Sequence, residues 1–145
     1  MKNIIQVSFK NRLLGIIVRA GFKQAGTKFF TPAGFSQQLA HIERPKGYVI
    51  VPHKHNKIER KIMLTKEVLF VKSGKIRIDF YYNKAKYVES RILKSGDIAY
   101  LSCGGHGFKF IEKSEVIEVK QGPYFENKDL TKFKSIDENK VKFIK

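Results

Sequence analysis

A chain of 145 residues with 42% hydrophobic content, twelve Phe and six Tyr can bury a core, which excludes an intrinsically disordered chain. Its single cysteine, Cys103, excludes an intramolecular disulfide framework and a cysteine-rich zinc site. A net charge of +16 points to an anionic partner, but 23 Lys against 6 Arg, spread along the whole chain, is the pattern of a solvated surface rather than of a nucleic-acid stripe.

From the N-terminus, residues 1–27 carry LLGIIV, which reads equally as a short helix or an edge strand and is taken as an N-terminal extension. Short β-prone segments follow. Strands are expected at Ile16–Ala20, Lys28–Thr31, Gln38–Arg44, Tyr48–His55, Arg60–Leu64 and Glu67–Lys72. Further ones are expected at Lys75–Tyr82, Tyr87–Leu93, Ile98–Cys103, Gly107–Glu112 and Glu115–Gln121. Turn signals separate them at residues 44–47, 72–75, 83–86 and 94–97. VLFVKSGKIRIDFYY reads as a hairpin, with Gly74 free to take the positive φ of its turn. After Gly122-Pro123 the chain is polar and lysine-rich, a tail that wraps the domain or frays. There is no repeat and no dividing linker, so one domain over 1–145 is expected. No apolar run approaches the roughly 18 residues of a membrane span and no leader pattern opens the chain, so the expected setting is cytoplasmic, with no membrane partner.

Three of the four histidines fall in two places. His53 and His55 stand two apart in GYVIVPHKH, and on a strand such residues share a face. His106 follows Gly104-Gly105, whose freedom allows a tight path over a pocket. With one carboxylate, Glu59 or Glu67, these would form a mixed N/O site for Fe, Mn, Ni, Co or Zn with positions open to substrate.

Gly47, five residues, His53-x-His55, and then Glu67, six residues, Gly74, follow the first motif of the cupin superfamily, which this chain resembles. Glu59 also falls at a motif spacing, but the later glutamate keeps the strand–turn–strand context, with residues 56–66 as an insertion. Gly96, Gly104 and His106 follow the second motif, with Ser102 in place of its Pro and Phe110 in place of its Asn. The likeness covers about residues 36–122 and extends to small bacterial cupins whose genes sit among those for surface polysaccharides and sugar nucleotides. It implies an all-β double-stranded β-helix, that is, a jelly-roll barrel of cupin type, with His53, His55, Glu67 and His106 around a divalent metal. Strand parity agrees on the carboxylate, because Glu67 shares a face with Leu69 and Val71, whereas Glu59 lies among charges. Likewise His106, Phe108 and Phe110 share a face, a ligand beside an aromatic wall.

An open metal site supports isomerase or epimerase chemistry on a carbohydrate or sugar nucleotide. An Fe(II)-dependent dioxygenase and a non-catalytic sugar or metabolite binder are the alternatives. Lys57 and Arg60 are candidate contacts to an anionic sugar, and Gln38 a polar contact. No general base is evident; Tyr100 and Glu118 are the nearest candidates. Cys103 is read as a buried, inert thiol. No helix-turn-helix pattern supports DNA binding. An open sheet edge makes a homodimer the expected assembly.

Overall fold

The computed structural model describes residues 2–83, 85–125 and 128–144. Lys84, in the expected turn at 83–86, lies outside these, as do Glu126, Asn127 and Lys145 of the tail. Among the described residues the chain is all-β, with one 3₁₀ turn at Glu138–Lys140 and no helix long and apolar enough to cross a membrane. It divides into two compact units, Met1–Phe22 with Leu64–Lys145, and Lys23–Met63.

The first unit holds two antiparallel sheets. Strands β1 (Ile4–Phe9), β2 (Arg12–Val18), β5 (Glu67–Ser73), β8 (Ile98–Leu101) and β10 (Glu115–Lys120) form one, in the order β1-β2-β8-β5-β10. Strands β6 (Lys75–Tyr82), β7 (Lys86–Lys94) and β9 (Gly105–Phe110) form the other, in the order β7-β6-β9. The second unit holds the two-stranded sheet of β3 (Gly26–Phe29) and β4 (Ala40–Glu43). Leu14, Ile17, Leu69 and Val71 from the larger sheet of unit 1 meet Ile76, Ile78, Phe80 and Leu93 from the smaller one in a buried cluster. The three sheets do not close into a barrel, which corrects the barrel expectation.

Three other expectations change. The N-terminal extension is a hairpin built into the larger sheet. Lys10 and Asn11, at φ 46° and 58°, make the two-residue turn that suits strand twist, and Ile16 and Ile17 are fully buried. The expected β5–β6 hairpin is a corner: the two strands lie in different sheets, and Gly74 at φ 80° turns the chain between them. A Cβ on Gly74 would strike Lys113 and Ser114, so the corner also needs the missing side chain. Gly96 at φ 84° makes the return corner from β7 to β8. Finally, residues 48–55 and 60–64 are exposed and form no strand. β propensity describes how a side chain fits a pleated sheet, and it creates no strand without a ladder partner.

The polar tail wraps unit 1 as a strap over the outer side of the β7-β6-β9 sheet. Ser90 on β7 bridges Phe143 in parallel, and its N–H donates to the Lys142 carbonyl at 2.9 Å. Tyr81 Oη accepts from the Ile136 N–H at 2.9 Å, and the Phe133 ring packs on Tyr81 with centroids 5.0 Å apart. The same ring lies where Gly105 has no Cβ: one placed there would come within 2.6 Å of it.

Glu138 anchors the strap to Arg77 Nη1 at 2.8 Å and to Lys109 Nζ at 3.0 Å. These two cations pull its carboxyl from 4.5 down to about 2. A folded-state pKa below the unfolded value contributes stability that is complete above about pH 4.5 and lost as pH falls towards 2. Exchange of the Ser90 amide proton is therefore expected to speed up through that window, and to do so less in Glu138→Gln. Identical pH profiles for the two proteins would remove Glu138 as the acid-sensitive anchor.

Candidate metal centre

Glu67 begins β5, pairs with Leu101 of β8 and Lys120 of β10, and lies on the core-facing side with Leu69 and Val71. His106 lies opposite Phe80 in the β6–β9 ladder, which puts it on the core-facing side of the other sheet. The two side chains meet across the gap between the sheets, with His106 Nε2 3.1 Å from Glu67 Oε2. Oε2 is buried yet makes no aligned hydrogen bond. The neighbouring imidazole holds the Glu67 carboxyl below its usual value against the opposing effect of burial, and Lys120 adds to the lowering.

Two ligands of one divalent ion, each about 2.0–2.2 Å from it and subtending about 90–110°, stand about 2.9–3.5 Å apart. The Glu67–His106 separation falls in that range, and an ion would satisfy the buried oxygen that hydrogen bonding leaves unmet. The pair thus fits half of a mixed N/O site.

Around it stand residues that only the pairing register reveals. On β10, Val116, Glu118 and Lys120 lie opposite Val71, Leu69 and Glu67 and so share their face. Lys120 Nζ is 3.7 Å from Glu118 and lies over the Tyr124 ring. On β9, Phe108 continues the His106 face, with ring centroids 5.2 Å apart. The mouth between the sheets thus has one aromatic wall and one charged wall. The alternation EVIEVK was the available sequence signal for the charged wall, but it does not say which strand β10 pairs with.

Of the other predicted site residues, His53, His55, Lys57, Glu59 and Arg60 lie in unit 2, on an exposed segment without regular structure. The His53 and His55 rings approach edge to face at 5.5 Å. His53 Nδ1 donates to the Val51 carbonyl at 3.0 Å, which leaves Nε2 with its lone pair, the state a metal ligand needs. Gln38 is spent on its own loop. Its Oε1 accepts from Thr31 Oγ1 at 2.8 Å, and its Nε2 donates to the carbonyls of Pro32 and Phe35 at 3.0 and 2.9 Å. The four predicted ligands fall two in each unit, and among the described residues no three His, Cys, Asp or Glu gather into a metal-holding group.

Tyr100 is fully buried on the side of β8 away from Ala99 and Leu101, and burial pushes its phenol up to about 12. Neither its direction nor its basicity serves the Glu67–His106 mouth. Cys103 is half-buried, with Sγ 3.2 Å from the Leu13 carbonyl. A cavity of about 710 Å³ opens elsewhere in unit 1, between Ile4, Ile5 and Ile144. The arginines on its wall are already paired, Arg19 with Asp97 and Arg91 with Glu89, and it contains none of the predicted site residues.

Comparison of the chain with known protein families, curated proteins and solved structures found no match.

Proposed function

We propose that the chain is a divalent-metal-binding protein of cupin type that acts on an anionic carbohydrate or sugar nucleotide, by chemistry of the isomerase or epimerase kind. The observation that carries this reading is the Glu67–His106 pair, a buried carboxylate oxygen and an imidazole nitrogen at chelating separation. The jelly-roll reading is supported by the way the chain passes between the two sheets of unit 1 after β5, β7, β8 and β9. His53 and His55 join the ligand set on the sequence resemblance alone. The chemistry such an ion supplies is Lewis-acid polarisation of a carbonyl and its adjacent hydroxyl. Lys120 adds positive charge beside Glu67, and Phe108 offers an apolar ring to the face of a sugar.

Elemental analysis of the purified protein tests this. About one divalent ion per chain is expected, falling to background in Glu67→Ala and in His106→Ala, because each removes a direct ligand. Equal metal content in the wild type and both variants sinks the reading. One observation favours a second reading, a binder without catalysis: Tyr100 is buried away from the mouth, and Glu118 is held by Lys120 rather than free as a base. Metal-dependent sugar binding without turnover would select it.

A further inference from the structure

The β9 edge is open. Among the described residues β9 pairs only with β6. Phe108 and Phe110 lie opposite Ile78 and Ile76, which are buried, yet they are themselves 40% and 58% exposed. Two phenylalanines on the core-facing side of a sheet are thus left without cover. The chain also contains a segment with the opposite deficit. Tyr48–His55 has the composition of a strand and no ladder partner, with Val49 72% and Val51 75% exposed. A free edge beside an apolar surface is a template for another strand.

We propose that Tyr48–His55 of a second copy of this chain adds to the β9 edge as an antiparallel strand, forming a reciprocal dimer. An antiparallel strand that sets His53 opposite His106 sets Val51 opposite Phe108 and Val49 opposite Phe110, because paired positions keep a constant sum. Residues directly opposite share a face. One register therefore covers both exposed phenylalanines with valine and brings His53 and His55 to the side on which Glu67 and His106 meet. The eight residues span about 26 Å when extended, enough to run the length of the six-residue β9. Each site would take two ligands from each copy. That last step rests on the metal reading above; the strand exchange does not.

Disulfide trapping in a Cys103→Ser background tests the exchange. A Val51→Cys chain mixed with a Phe108→Cys chain and mildly oxidised should give a linked dimer containing the 51–108 disulfide, identified by peptide mass. Without oxidant, the wild-type chain should sediment as a dimer. A wild-type monomer, or no 51–108 link between chains, overturns the proposal. Metal content supplies a second measurement. His53→Ala/His55→Ala and Glu67→Ala, each metal-free alone, should regain about one quarter of wild-type content when unfolded together and refolded, since half of the random dimers are mixed and each restores one of two sites. Absence of metal from the wild type would remove the metal reading, and the disulfide would still decide the strand exchange.

Discussion

Arg77→Ala is expected to cost about 3–5 kcal/mol of folding stability, because it strips the cation from a buried carboxylate. Arg77 and Asp79 are two apart on β6 and both nearly inaccessible, with Nε 2.8 Å from Oδ1 and Nη2 donating to Oδ2 at 3.0 Å. The carboxylate Oδ1 also accepts from Ser90 Oγ, which in turn contacts Tyr87 Oη at 2.8 Å. Alanine leaves Asp79 with one hydroxyl donor and no counter-charge, and frees the Glu138 end of the strap. Denaturant unfolding should show a lower midpoint. The double variant Arg77→Met/Asp79→Leu should recover most of the loss, since an apolar pair of similar volume carries no desolvation cost. A loss below about 1 kcal/mol for Arg77→Ala would mean that solvent reaches Asp79 and that the strap does not seal this face.

Strand parity alone makes half of the candidate site legible in the sequence. A period of two carries Glu67 to the side of Leu69 and Val71, and His106 to the side of Phe108, so only the presence of two strands had to be right. What parity cannot supply is pairing. Lys120 lies beside Glu67 through a ladder that joins residues 53 positions apart, and no local pattern encodes that contact. Sheet membership is hidden for a related reason. A hairpin turn and a corner both call for a positive φ, so Gly74 is legible as a turn but not as a crossing between sheets. The first hairpin escapes because Lys10-Asn11 contains no glycine, although asparagine tolerates the left-handed region. Tyr48–His55 reads as a strand from composition and forms none within the chain. Propensity reports a surface ready to be packed, and the exposed valines are that readiness left unmet.

Phe80→Ala is expected to cost about 3–5 kcal/mol, the range for deleting a buried ring whose cavity cannot collapse. Phe80 is 1% exposed on β6, and its ring bridges the two sheets of unit 1. A Cβ built on Gly15 of β2 would lie 2.7 Å from Phe80 Cε1 and 2.9 Å from the Tyr100 carbonyl oxygen. Glycine at position 15 thus makes room for the ring, and Gly15→Ala should itself destabilise the wild type. In a Phe80→Ala background the same substitution should cost less, because only the carbonyl contact remains, so the two changes should be non-additive by at least about 0.5 kcal/mol. Additive losses in urea titrations would show that the ring does not fill the space above Gly15. The consequence reaches the site, because Phe80 is the direct cross-strand partner of His106. Loss of the ring removes the packing that sets the height of the β9 imidazole over Glu67. Metal content should therefore fall in Phe80→Ala under conditions where the protein remains folded, and fall less in Phe80→Leu, which keeps most of the buried volume. Unchanged metal content in folded Phe80→Ala would place the support of His106 in β9 itself rather than in the core beneath it.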